Sequence, residues 1–399
     1  MAREQRAASL RIAVIALTGG AFAGLVSAAF IWIVEEGVHL MWVELPDRLD
    51  LDPYDSWWMF AVPIVGGVIV GLGQKFIGNL PLPIAEVVSL FRSGSGVEPN
   101  LVPGAFFLAV VALIFGGSVG FEAALSCIIG GFATGIARQL GPREADARSA
   151  WGLGHTADVP ERVRSAAGWL AALAGIFTFI WLPFGDIDLS GRLGRFDGVP
   201  DVGDGLLVVV FAVLAATPVA WAFNAVVMAE HATLYRINPI LIGAAGGLVL
   251  GILASAHPLV FFSGQQGINE LGDLSAGDLA YVTVAKWGAL AIMLLAGWRG
   301  GPIFPLWLSV ASLAVLVLDP FGVPVGVATV AGVTIVSAVF LRGRVLPAVV
   351  LTLYAVRASY AGVMLLAAAG VALGLLIAGA LGALPRTADD DFQVVSDTT

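Results

Sequence analysis

Between Pro99 and Ala137 one residue carries a charge, and it is Glu122. It stands in Gly116–Cys127, which reads G-G-S-V-G-F-E-A-A-L-S-C. The apolar run around it is long enough to cross a bilayer, and a charged side chain at that depth costs about 2.5–3.5 kcal/mol. Gly116, Gly117 and Gly120 precede the acid, and Leu125, Ile128, Ile129 and Phe132 follow at helical spacing. Glycines let the backbone turn sharply and approach a ligand closely. A helix starting inside the membrane points its unpaired N–H groups and positive dipole end at whatever lies ahead. The chemistry implied is an anion site at a broken helix, with a carboxylate beside it. The competing reading is a glycine-kinked spanning helix whose glutamate finds a buried partner.

The rest of the composition narrows the classes. The chain has 399 residues, 58% hydrophobic and 12% charged, with a mean hydropathy of +0.92. A soluble domain carries about 25% charged residues, so most of this chain belongs in a bilayer as a polytopic, all-α membrane protein. Its net charge of −9 argues against a nucleic-acid partner. Acidic residues gather in Glu44–Asp55, Asp186–Asp204 and Asp389–Asp391, as solvated loops and a tail do. The single cysteine, Cys127, excludes an internal disulfide framework and reads as a small core residue. His39, His155, His231 and His257 are scattered, so no metal site is expected, and no cofactor. No Ser/His, Cys/His or multi-carboxylate grouping lies at depth, which argues against an enzyme and leaves no catalytic residue to name. Arg3, Arg6 and Arg11 precede the first apolar run, Ile12–Val34, which is too long for a signal peptide. The positive-inside rule then places the N-terminus, and the basic loop Arg138–Arg164, in the cytoplasm of a cell with this protein in its inner or plasma membrane.

Apolar segments run through Ile12–Val34, Trp57–Ile77, Leu101–Ala137, Ala166–Leu182, Leu206–Met228, Pro239–Ala256, Leu279–Ala296, Ile303–Leu318, Pro324–Leu341, Val345–Val356 and Ala358–Leu384. Several fall short of the ~20 residues a span needs. Leu101–Ala137 is too long for one helix and is broken by its glycines. Such short, interrupted segments predict discontinuous or re-entrant helices buried by protein. A weak repeat is also present. Gly66, Gly67 and Gly71 fall on Gly246, Gly247 and Gly251 at a constant shift of 180 (246 − 66). That shift carries Gly120 onto Gly300 and Glu122 onto Pro302, inside the second glycine-rich break, Gly300-Gly301-Pro302-Ile303-Phe304-Pro305. The organisation read from this is a cytoplasmic N-terminus at 1–11, a first repeat at 12–182, a linker at 183–205, a second repeat at 206–384 and a short acidic tail at 385–399. Paired interruptions of this kind place a substrate between the repeats, near the midplane.

These residues resemble the CLC family of chloride channels and chloride/proton antiporters. Gly120-Phe121-Glu122 is similar to the G-(K/R)-E-G-P signature whose glutamate gates the pore, and Gly300–Pro305 is similar to G-G-I-F-A-P. Phe262–Leu271, F-S-G-Q-Q-G-I-N-E-L, resembles the glycine-rich stretch before the second signature, and G-W-R-G-G-P-I-F-P resembles a divergent bacterial branch of ion-transport proteins. The resemblance implies an inverted-topology repeat of tilted, discontinuous helices, a pore in each subunit and a homodimer. It implies chloride or a similar anion as substrate, moved in a channel-like or proton-linked way. Glu122 would be the gate, and backbone N–H groups of Gly120, Phe121, Ile303 and Phe304 would bind the anion.

Departures from the pattern matter as much. The first signature, G-S-G-I-P, should fall at Gly78–Pro83, which reads G-N-L-P-L-P. Leu80 or Pro81 stands where an anion-coordinating serine would be, and these two join Gly300, Gly301 and Pro302 as pore-lining candidates. No tyrosine follows Tyr360, and Ala166–Leu182 holds no acid for an inner proton site. Arg299 either raises the positive potential at the mouth or snorkels to the interface. Lys286 reads as a structural ion-pair or snorkelling residue, and Trp42, Trp57 and Trp58 as interfacial anchors. The tail is too short for paired regulatory domains. Two other classes stay open beside anion transport: a secondary transporter of another solute using Glu122 as a proton or cation site, and a non-conducting scaffold.

Overall fold

The computed structural model describes residues 2–93, 95–139, 170–171, 173–175, 177–178, 201–232, 237–355 and 360–384. Most of the basic loop, the linker, Glu144, Glu161 and the acidic tail lie outside them. The helices are α1 (Ala2–His39), α2 (Trp58–Phe76), α3 (Ile84–Arg92), α4 (Val102–Ile114), α5 (Glu122–Gln139), α6 (Val202–His231), α7 (Pro239–Ala254), α8 (Ala276–Leu295), α9 (Ile303–Leu318), α10 (Val325–Phe340), α11 (Val345–Ala355) and α12 (Ala361–Ala380). Six helical segments are long and apolar enough to cross a membrane, so this is a multi-pass membrane protein. Four apolar helices, α4, α5, α7 and α10, are shorter than a span requires. The run Leu101–Ala137 is broken as its glycines predict: α4 ends at Ile114 and α5 begins at Glu122.

Helix starts follow local chemistry. At α6, Asp201 Oδ1 accepts from Asp204 N at 2.8 Å and Asp204 Oδ2 accepts from Asp201 N at 2.9 Å, a reciprocal capping box. At α7, Asn238 caps Ile240 N and Pro239 takes the first turn, where its missing N–H costs nothing. At α8, Ser275 Oγ accepts from Asp278 N. The N-cap residue of α9 is Pro302, which offers no capping side chain.

The chain divides into two compact units. The first comprises residues 1–37, 77–110 and 121–190. In it, Leu80, Val87, Val97, Ala105, Leu108 and Cys127 form one apolar cluster, and Ala16, Ala133, Ile136 and Ala171 form another. Cys127 is indeed a buried core residue, and its Sγ accepts from Leu82 N at 3.2 Å. The second unit comprises residues 38–76, 111–120 and 191–399. Its centre is α9, buried nearly all round, as is α10. A helix with apolar residues on every face belongs inside a protein or a bilayer.

Within the second unit, α2 and α7 pack through their glycines. A Cβ on Gly67 would strike Gly243 O, and one on Gly247 would strike Pro63 O. One on Gly71 would strike Pro239 O, and one on Gly251 would lie 2.8 Å from Met59 O. The contacts are reciprocal: each glycine of one helix faces the shifted equivalent of the residue its counterpart faces. The reciprocal pairs are spaced by the same 180 residues as the glycines themselves.

Candidate functional site

Two glycine turns organise the region of interest. Gly116 has φ +85° and Gly297 has φ +83°, a left-handed conformation that suits glycine. In the first, Gly116 N donates to Leu113 O at 3.2 Å and Gly117 N to Ala112 O at 2.8 Å. In the second, Gly297 N donates to Leu294 O at 3.0 Å and Trp298 N to Met293 O at 2.9 Å. Both are Schellman-type ends, closing the orphan carbonyls of α4 and α8. Four residues beyond each turn the two segments meet: Gly120 N donates to Gly301 O at 2.6 Å, and Gly301 N donates to Gly120 O at 2.7 Å. Each helix then begins two residues further on, α5 at Glu122 and α9 at Ile303.

This geometry corrects the register. Turn, bridge and helix start are all related by 181 (303 − 122), not 180. Glu122 therefore corresponds to Ile303 rather than Pro302. The Gly300-Gly301 doublet explains the slip, since a glycine matches Gly120 in either register.

The turns are braced differently. Gly116 O accepts from Phe262 N at 3.0 Å. Gly116 also faces Trp42, whose Cζ2 lies 2.8 Å from where a Cβ would stand. Trp42 Nε1 donates to Ile114 O at 2.9 Å, and its ring packs on Phe261 at 4.8 Å. Trp42 is 1% exposed and is no interfacial anchor, contrary to expectation. Gly297 O instead accepts from Gln74 Nε2 of α2. Trp298, fully buried, packs on Gly66 and Gly117 and donates to Gly243 O at 3.0 Å.

Lys286 is fully buried and is neither a salt-bridge nor a snorkelling residue. Its Nζ donates to Phe262 O at 2.6 Å, Phe261 O at 2.7 Å and Val260 O at 3.2 Å. Three carbonyls around one Nζ match the three N–H donors of an ammonium. Lys286 thus pins the loop whose Phe262 N–H holds the Gly116 turn. Arg299 departs from the snorkelling expectation. It is 4% exposed, and Nη1 lies 3.5 Å from Oε1 of Glu230 at the end of α6, itself 6% exposed. Its charge is matched inside the protein, so it does not snorkel.

The remaining candidates fall as follows. Glu122 is the first residue of α5 and half-buried, with Oε2 sealed from solvent. An acid suits a helix N-terminus. Phe121, Ile303 and Phe304 are buried, as are Gly120, Gly300, Gly301 and Pro302. The structure brings Gly120 and Gly301 into direct contact, with Gly300 against Val119. Leu80 lies in the apolar cluster of the first unit, the setting of a core residue, and Pro81 is buried beside it in the chain. Tyr360 is buried at the start of α12. Among the described residues no group of His, Cys, Asp and Glu could hold a metal ion. Sequence reasoning missed Glu230, Gln74 and the Lys286 loop. A lone buried-helix glutamate at the end of Val202–His231 was the available signal for Glu230.

No family model matches the chain. Its sequence is 26% identical over 299 residues to the "Putative ion-transport protein YfeO" of Escherichia coli (strain SMS-3-5 / SECEC), covering 67% of this chain and 69% of that one. It is 27% identical over 338 residues to the protein of the same name from Salmonella choleraesuis (strain SC-B67), covering 77% and 80%. Among solved structures it superposes on a CLC-type fluoride/proton antiporter with a TM-score of 0.62 at 16% identity, over 91% of this chain and 94% of that one. It superposes on a slow cyanobacterial Cl−/H+ antiporter with a TM-score of 0.66 at 16% identity, over 94% and 96%. The resemblance carried by the two glycine signatures is borne out: this chain has the CLC fold, and its sequence is similar to that of the YfeO ion-transport proteins over most of its length.

Proposed function

We propose that the protein transports a small inorganic anion, with chloride the first candidate, through a CLC-type pore gated by Glu122. The reciprocal bridge between Gly120 and Gly301 carries this reading, since each bridge glycine precedes a helix start by two residues. Helix N-termini offer N–H groups and a positive dipole end to an anion, holding it by dipoles weakly enough to let it leave. Gly120, Phe121, Ile303 and Phe304 supply those groups. The deprotonated Glu122 carboxylate competes with the anion for this place, and protonation or displacement admits the anion. The likeness to structures described as fluoride/proton and Cl−/H+ antiporters supports both an anion and a proton-linked mode. In this reading the two glycine-turn arms belong to inverted repeats, the assembly is a homodimer in the inner or plasma membrane, and the N-terminus is cytoplasmic.

The test is efflux from liposomes holding the purified protein, followed with a chloride electrode and a simultaneous proton trace. Wild type releases chloride at a rate that rises as pH falls through the carboxylate's titration. Glu122→Gln, which mimics the protonated acid, flattens that pH dependence and abolishes coupled proton movement. A Glu122→Gln profile identical to wild type removes the gate. A wild type that releases no anion leaves the non-conducting scaffold in its place.

A further inference from the structure

Nine serine and threonine side chains among the described residues are buried: Ser27, Ser118, Thr134, Ser309, Ser312, Thr329, Thr334, Ser337 and Thr352. Six of them return their hydroxyl to a carbonyl four residues back in their own helix, as Ser337 does to Val333 O at 2.9 Å. Ser309 donates to Thr283 O at 2.6 Å. Ser118 and Thr329 have no hydrogen-bond partner among the described residues. A buried hydroxyl left unsatisfied costs about 1–3 kcal/mol, and such a group calls for an explanation.

Ser118 is the one of the two placed in a gate arm. It lies between the Gly116 turn and the Gly120 bridge, outside any helix, so no carbonyl four residues back is offered to it. The backbone on either side of it is closely packed. A Cβ on Gly117 would lie 2.5 Å from Ala112 O and 2.9 Å from Trp298, and one on Gly300 would lie 2.6 Å from Val119. Ser118 is 0% exposed, and its hydroxyl has no hydrogen-bond partner among the described residues. The second arm shows the same feature. Trp307 Nε1, a group that can only donate, is buried with no acceptor among the described residues. Trp307 packs edge-on against Phe304 at 4.9 Å, in the first turn of α9. Helical side chains lean toward the N-terminus, which keeps this indole beside the start of its helix.

We propose that Ser118 donates its hydroxyl to the transported anion and sets the anion's affinity, with the Trp307 indole N–H as a second donor from the other arm. An O–H or N–H bonded to an anion is about twice as strong as one between neutral groups. The occupant is a small monovalent anion, a halide before a carboxylate, because the Ser118 hydroxyl and the Trp307 indole N–H can both donate to it. The inference rests on the anion-transport reading and names the side chains of its site.

The experiment measures initial efflux of chloride, and separately of fluoride, from liposomes over a range of internal concentrations, with calorimetric titration of both salts into the detergent-solubilised protein. Ser118→Ala is expected to raise the half-saturating concentration and the dissociation constant about tenfold while leaving the maximal rate within about twofold. Ser118→Thr keeps the donor and restores affinity. Trp307→Phe, which keeps the ring and loses the N–H, shifts affinity in the same direction. Ser337→Ala removes a hydroxyl already bonded to Val333 O and leaves affinity unchanged. Melting curves from tryptophan fluorescence identify a variant that has unfolded, in which case Ser118→Thr and Trp307→Phe decide. Equal affinities for wild type, Ser118→Ala and Ser337→Ala would overturn the inference while the transport reading stands. A wild type that neither binds nor moves either anion overturns both.

Discussion

Set the two glycine arms side by side, Gly116–Glu122 and Gly297–Ile303, and the backbone is the same while the chemistry is not. Both turn at a left-handed glycine, both close the preceding helix, and they pair at Gly120 and Gly301. At the register of 181, Ser118 matches Arg299 and Glu122 matches Ile303 (299 − 118; 303 − 122). One arm thus carries a buried hydroxyl and an acid. The other carries a buried guanidinium, matched by Glu230, and no acid at its helix start. Two like backbone turns each lead to a helix start, and their side chains differ: an acid and a hydroxyl on one arm, a compensated charge on the other. The comparison also separates what must be glycine from what happens to be. Gly116 and Gly297 need left-handed freedom, whereas Gly300 is demanded by the closeness of Val119.

The sharpest way to break the comparison is to remove the compensated charge. Arg299→Met leaves Glu230 buried at 6% exposure beside an apolar side chain, and the reverse holds for Glu230→Met. Removing one partner of a buried pair costs about 3–5 kcal/mol, while replacing both with apolar groups is often neutral. Each single variant is therefore expected to lower the melting temperature strongly, and Arg299→Met/Glu230→Met to recover most of the loss. Melting in detergent reads all three. If the double variant is worse than either single one, Arg299 holds something besides Glu230's charge and the contrast between the arms fails.

How much of this was visible beforehand follows from the range of each interaction. The broken helix, the glycine pairs on α2 and α7 and the lone acid depend on spacing along the chain, and spacing survives in a sequence. The register slipped by one because Gly300-Gly301 offers two matches to Gly120 and only the bridge chooses between them. The partner of Arg299 was not visible because Glu230 lies on another helix, and no periodicity links α6 to the residues before α9. Lys286 was misjudged for a different reason. Its partners are carbonyls, which every residue has, so only the fold of the loop at Val260–Phe262 reveals them. Trp42 reads as a membrane-surface anchor until Ile114 O and Phe261 are seen against it.

The braces give a second, smaller test. Lys286→Met removes the donor shared by three carbonyls, each left at a cost of about 1–3 kcal/mol, offset by relief from burying a charge. The melting temperature falls by less than in Arg299→Met. The effect should also be lopsided. Hydrogen exchange quickens at Val260–Phe262 and at Leu113–Gly117, because Phe262 N–H holds Gly116 O. It stays slow at Leu294–Trp298, whose turn is held by Gln74 of α2. Equal loosening of both turns would mean that the two arms share one brace.

The smallest effect comes from the turns themselves. Placing a side chain in the left-handed conformation costs about 1–2 kcal/mol, and Gly116→Ala and Gly297→Ala both incur it. They differ in what the new methyl meets. At Gly116 it meets the indole of Trp42 at 2.8 Å and Phe261 at 3.1 Å, rings fixed by their own packing. At Gly297 it meets the amide end of Gln74, the far end of a longer and more pliable side chain. Gly116→Ala should therefore cost more stability than Gly297→Ala, though neither reaches the loss from Arg299→Met. Melting temperatures of the two variants in one detergent give the order directly. The reverse order would place the rigid brace on the Gly297 arm and turn the comparison around: the arm with the fixed charge would also be the arm that cannot yield, and the acid's arm would be the one free to move.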